Sequence, residues 1–152
     1  MKIMNEDLLS SRELRDKCSG RYEVLEKVKQ LLLIPGTEMM SVKQLAEYYE
    51  VGKEAIEAVY TRFKEELVED GMKNMGYKSF LNLQVESLEH VRGKTLITLP
   101  NKQLIEVPNR GLKVFPRRAI LRIGMLLRDS EVAKEIRTQL YRRKNFCGDQ
   151  DG

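Results

Sequence analysis

The sequence predicts an α+β protein, mostly helical, with a helix-turn-helix-like N-terminal unit, a small β-hairpin and two C-terminal helices. Three observations predict it. Apolar residues recur with a 3.6-residue period on both sides of the chain's middle, and two short apolar runs flank Pro100-Asn101-Lys102. Residues 41–64 carry the spacing of two helices meeting at a corner. Residues 1–20 read as a flexible arm, 21–76 as the helix-turn-helix-like unit, 77–144 as a helix, the hairpin and a basic helix pair, and 145–152 as a disordered tail.

Taken in order, Val24, Leu25, Val28, Leu31 and Leu32 give a one-faced helix over 22–34, stopped by Pro35-Gly36. Ser41 is a good N-cap and Gln44 completes a capping box, so a short helix runs to about residue 49. Glu50-Val51-Gly52 turns the chain, a second helix covers 53–69, and Asp70-Gly71 ends it. Phe80, Leu81, Leu83, Val85 and Leu88 give a weaker helix over 77–91. Leu96-Ile97-Thr98-Leu99 and Gln103-Leu104-Ile105-Glu106-Val107 form the hairpin, and Leu112-Lys113-Val114-Phe115 offers a third strand. Pro116 suits the first turn of a helix carrying Ala119, Ile120, Ile123, Met125, Leu126 and Leu127. Asp129-Ser130 breaks and recaps it, and a last helix spans 130–144.

Composition works mainly by exclusion. A chain of 152 residues, 41% apolar and 33% charged, can bury one sizeable core without a metal or disulfide staple. Cys18 and Cys147 lie far apart and make no disulfide framework, which favours a reducing, intracellular setting. No apolar run approaches the roughly 20 residues of a membrane span. One histidine, His90, rules out a Ser/His/Asp set beyond itself and leaves no converging metal ligands. Gly93-Lys94-Thr95 imitates the end of a phosphate loop, but Leu88 stands where the earlier glycine belongs. Glu65, Glu66, Glu69 and Asp70 are an acid-rich helix end with no lysine placed to complete a nuclease site. The expectation is a protein with no enzymatic activity, no cofactor and no metal.

The corner is the most specific pattern. Ala46 is small where two helices must approach, Val51 plugs the turn, and Ile56 and Val59 lock the second helix down. Glu50 occupies the turn position often given to glycine. The second helix presents Lys53, Glu54, Glu57, Ala58, Thr61 and Arg62 outward. Two carboxylates facing a major groove are unfavourable unless each accepts from a cytosine amine. The other reading of the corner is a helical hairpin whose Tyr48, Tyr49 and Tyr60 serve the core or a protein interface.

The run MSVKQLAEYYEVGKEAIEAVYTRFKEELVEDG resembles the opening domain of phage and prophage regulators of the KilA-N/Bro-N antirepressor-like group. Their pattern has a Thr/Ser-x-x-Leu-Ala helix, a Tyr-x-Val turn and a following helix that ends in acids. VFPRRAILRIGMLLRDSEVAKEIRTQL resembles the latter half of such modules, so the likeness touches residues 22–75 and 112–141. It implies a phage-borne DNA-binding or antirepressor role in the cytoplasm of a bacterial host cell. Leu45, Ala46 and Val51 correspond as structural positions, and Arg117, Arg118 and Arg122 more loosely as the basic segment.

The net charge of +4 is unevenly spread. Residues 110–144 alone hold 11 basic and three acidic side chains, eight of the bases arginine. Arginine's planar fork suits phosphate oxygens, and Arg117, Arg118 and Arg122 sit at a helix start whose N–H groups add positive potential. Two readings follow: a phosphate-binding face, or a face neutralised by ion pairs and by the acidic N-terminal half packing over it. The first predicts a DNA-binding transcriptional regulator, which the resemblance implies would serve a phage, prophage or mobile element. Arg110, Lys113, Arg117, Arg118, Arg122 and Arg128 would contact the double-stranded DNA backbone, with Lys53, Thr61 and Arg62 in the groove. A homodimer is expected, with Met39, Tyr48 and Tyr49 as interface candidates. The alternative is a protein-binding antirepressor or phage-encoded inhibitor that docks on a host or phage regulatory protein without touching DNA.

Overall fold

Buried apolar side chains sort into two cores. The structure, a computed structural model, describes residues 7–142. In chain order its elements are α1 (Asp7–Ser10), α2 (Arg12–Cys18), α3 (Val24–Val28), β1 (Met39–Ser41), α4 (Val42–Tyr49), α5 (Lys53–Arg62), α6 (Lys64–Glu69) and β2 (Lys73–Met75). There follow α7 (Tyr77–Phe80), β3 (Ser87–Val91), β4 (Lys94–Thr98), β5 (Leu104–Pro108), β6 (Leu112–Pro116), α8 (Arg117–Leu126) and α9 (Glu131–Arg142). The fold is α+β.

One antiparallel sheet has the order β1-β6-β2, and the other is the antiparallel meander β3-β4-β5. Because side chains alternate along a strand, β6 serves both cores. Phe115 enters the main core with Leu45, Tyr49, Ile56, Ile120 and Ile136, while Val114 enters the second with Phe80, Ile97, Ile105 and Val107. The first sheet encloses the α4–α5 corner and α6 between β1 and β2, and its last strand, β6, returns to lie between those two. Between β2 and β6 the chain forms a wing of α7 and the meander.

The corner forms as its residues dictate. Gln44 N–H donates to Ser41 Oγ (3.3 Å) and Ser41 N–H to Gln44 Oε1 (2.9 Å), completing the capping box. Leu45, Ala46, Ile56 and Val59 are buried, and Val51 packs against them. Glu50 ends α4 in the left-handed conformation (φ 56°, ψ 47°) in the place where glycine would be unstrained. Lys29 compensates: its ammonium donates to the carbonyls of Glu47 and Tyr48 and to the Glu50 carboxylate.

Several expectations give way to tertiary constraints. The helix expected over 22–34 stops at Val28, and the extended Lys29 turns away to cap α4. Ile34 then bonds to Met39 and fills the second core. The helix expected over 53–69 breaks at Phe63 (φ −119°, ψ 30°), which rotates Glu66 and Leu67 inward. The stretch 77–91 holds only the short α7, because pairing with β4 draws 87–91 into a strand. The third strand is real, but β6 joins β1 and β2 instead of the hairpin. Pro116 caps α8 and does not lie inside it.

The N-terminal segment is no loose arm where it is described. α1 and α2 dock on the main core through Leu8, Arg15 and Cys18, all buried. Cys18 is not a free thiol, so the argument from unpaired cysteines to a reducing compartment loses its footing. Cys147 and the tail 145–152 lie outside the described residues, as do residues 1–6. Among the described residues no helix is long and apolar enough to cross a membrane.

Tyr48 and Tyr49 are buried within the protein's own core, with their hydroxyls donating to the carbonyls of Leu25 (2.5 Å) and Ile120 (2.6 Å). They are therefore unavailable as dimer contacts. Met39, half-buried in β1, packs against the second core. The Tyr49 ring also explains Gly124 inside α8: a Cβ there would lie 2.6 Å from the Tyr49 hydroxyl oxygen. Gly124→Ala should destabilise the protein by about 1–3 kcal/mol despite alanine's better helix propensity. Urea melts of the two proteins check this, and equal midpoints would show that the ring moves aside at no cost.

Candidate nucleic-acid interface

The fold leaves the outer face of α5 uncovered. On α5, Ile56 and Val59 point into the core, so the 3.6-residue period turns Lys53, Glu54, Glu57, Ala58, Thr61 and Arg62 to solvent. Glu54, Glu57, Ala58, Thr61 and Arg62 line a shallow open depression along this face. Glu54 folds back toward the start of the helix, since a Cβ on Gly52 would meet its carboxylate at 2.1 Å. A carboxylate there complements the positive end of the helix dipole.

Cations gather at both ends of α5. At its start, Lys94 on the wing bonds to Glu106 (2.9 Å), and Lys43 and Lys53 act on the same carboxylate. Glu106 is held below the usual carboxylate range, first by the Lys94 hydrogen bond and charge and then by the two more distant lysines. At the far end, the Tyr60 ring carries the Lys113 ammonium 4.8 Å and the Lys64 ammonium 5.8 Å from its centroid. The Arg62 guanidinium lies over Phe63 at 5.3 Å. Lys43, Lys64 and Lys94 were not singled out by sequence reasoning, because they reach the α5 ends from α4, α6 and the wing.

Several arginines of the basic stretch, in contrast, are engaged by the protein itself. Arg122 is 3% exposed and its guanidinium is shared among Asp16, Glu66 and Asp70. Arg15, 4% exposed, grips Glu66 through two bonds of 2.9 Å. Arg117 is engaged by Glu26 (2.5 Å) and Glu38 (3.0 Å), and Arg118 donates to Ser19 (2.9 Å). Arg137, 2% exposed, donates to the carbonyls of Gly124 and Leu127 and so caps the end of α8. Arg110 and Arg128 are exposed but sit in two separate turns. Acidic residues of the N-terminal half thus neutralise Arg117 and Arg122. Of the nine residues expected to bind DNA, Lys53, Thr61 and Arg62 stand together on α5 with Lys113 beside them. Arg117 and Arg122 are consumed internally.

A second concavity lies on another side, where residues 29–35 pass α4. Leu31, Leu32, Leu33, Pro35, Met40 and Tyr48 line it, with Leu32 62% exposed.

No protein-family model, curated protein or solved structure matches the chain.

The buried ion cluster has a titration signature. Burial raises the Glu66 carboxyl, but hydrogen bonds and charge from Arg15 and Arg122 outweigh it and hold the group below its ordinary value. Asp70 is raised instead, because burial there exceeds the pull of Arg122. A depressed carboxylate contributes stability above its unfolded pKa and loses it as pH falls through the folded one. Glu66→Gln leaves two buried guanidiniums short of a counter-charge and should cost about 3–5 kcal/mol near neutrality. The gap between wild type and variant should narrow as pH drops through the carboxylate range, while an unchanging gap in melts from pH 7 to pH 3 would contradict the assignment.

Proposed function

We propose that the protein is a DNA-binding regulator that docks α5 in the major groove and sets the wing beside it. The observation that carries this reading is the exposed α5 face with cations at both ends. Lys43 and Lys53, with Lys94 paired to Glu106, flank the start of the helix, and Arg62, Lys64 and Lys113 its far end. A groove-bound helix meets a phosphate backbone on either side, so cations belong at its ends and base-reading groups between them. The role falls to α5 and its flanks because Arg117 and Arg122 are already engaged. A place in the regulation of a phage, prophage or mobile element is proposed on the resemblance of residues 22–75 and 112–141 to antirepressor-like regulators.

A second reading is favoured by the groove between residues 29–35 and α4, whose exposed Leu32 suits a protein partner. In that reading the protein acts as an antirepressor by docking on another regulator.

Fluorescence anisotropy with sheared bacterial genomic DNA separates the two. If about four of these cations neutralise phosphates, log affinity should fall by about 3.6 per tenfold rise in salt. Lys53→Glu with Arg62→Glu should abolish binding, while Leu32→Asp leaves it intact. Binding that survives the double reversal, or that shows no salt dependence, removes α5 as the contact surface.

A further inference from the structure

We propose that Glu57 is a specificity-determining residue that reads the exocyclic amine of a cytosine in the major groove. This rests on the DNA-binding reading of α5 given above. Glu54 and Glu57 both face outward, but their carboxylates differ in placement. That of Glu54 turns back over Gly52 at the start of the helix. Glu57 stands one turn farther along, among Ala58, Thr61 and Arg62 in the middle of the exposed face. Among the described residues no hydrogen bond or ion pair holds its carboxylate. The cations at the two ends of α5 are placed for phosphates and leave this central acid unneutralised.

A carboxylate brought into a groove must exchange its water for a donor, or its burial opposes binding. The major-groove edges offer two donors, the adenine N6 amine and the cytosine N4 amine. Adenine sets its amine beside the N7 acceptor, which repels a carboxylate and suits an amide. Cytosine presents its amine without an acceptor on the same base, so an ionised side chain that only accepts matches cytosine. Guanine and thymine oppose Glu57 with acceptors alone. The small Ala58 beside it leaves room for the base edge to approach.

The test is selection from a randomised duplex pool with the wild-type chain, Glu57→Gln and Glu57→Ala. Thermal melts should confirm that both exposed-site variants fold as wild type does. The wild-type pool should converge on a site with a required cytosine, and replacing that cytosine by thymine should weaken binding about tenfold. Glu57→Gln should move the preference at that one position from cytosine to adenine, and Glu57→Ala should relax it. Variants that select the wild-type site unchanged overturn the role of Glu57 while leaving DNA binding by α5 standing. A pool that the wild-type chain fails to enrich overturns both.

Discussion

The buried cluster of Arg15, Arg122, Glu66, Asp70 and the partly exposed Asp16 is the constraint on which the rest of the arrangement depends. It joins α2, α6 and α8, three elements far apart in the chain, at one desolvated point. Each charge there is tolerable only because the others are present. The cluster requires the break at Phe63, which turns Glu66 inward, and it requires α2 to lie on the core. Phe63 itself takes part, with the Arg15 guanidinium 5.3 Å from its ring centroid. Among the described residues, no buried side-chain nitrogen or oxygen lacks a hydrogen-bond partner. An interior of this kind favours one packing, since every rearrangement strands a charge.

The same cluster shapes the surface. It draws Arg122 inward, while Glu26 and Glu38 hold Arg117, so these two arginines are withdrawn from the basic segment. Cations on α4, α6, the wing and β6 are left to surround α5 instead. The central strand β6 reaches the second core through Val114 and the main core through Phe115, and β1 does the same through Met39 and Met40, so alternate side chains of these strands tie the meander to the α4–α5 corner. The wing's Lys94 and Glu106 thereby come within electrostatic reach of Lys43 and Lys53.

Much of the local structure was legible. The capping box at Ser41, the Ala46–Val51–Ile56 corner, the meander's β4 and β5, and the recapping at Ser130 all depend on residues within a few positions of one another. Ser130 Oγ accepts from Ala133 N–H (3.0 Å) as a helix cap should, though it also donates to the Tyr49 carbonyl, which no local pattern announces. The failures share a cause. Residues 30–34 look helical because their apolar side chains are close together, yet they feed two cores. The strand at 87–91 was read as helix because its pairing with β4 is not written in its own spacing. Lys53, Thr61 and Arg62 were found because a helix face follows from a 3.6-residue period, and Lys64 and Lys94 were missed because their proximity is a tertiary matter.

The sequence by itself determined the fold class, the corner and the identity of the exposed α5 face, since capping, periodicity and turn chemistry act over short range. Only the tertiary structure decided which charges are free. Net charge per segment is additive along a chain, but exposure is not. Of the eleven bases in 35 residues, Arg117 and Arg122 are met by Glu26, Glu38, Glu66 and Asp70, which arrive from the other half of the protein.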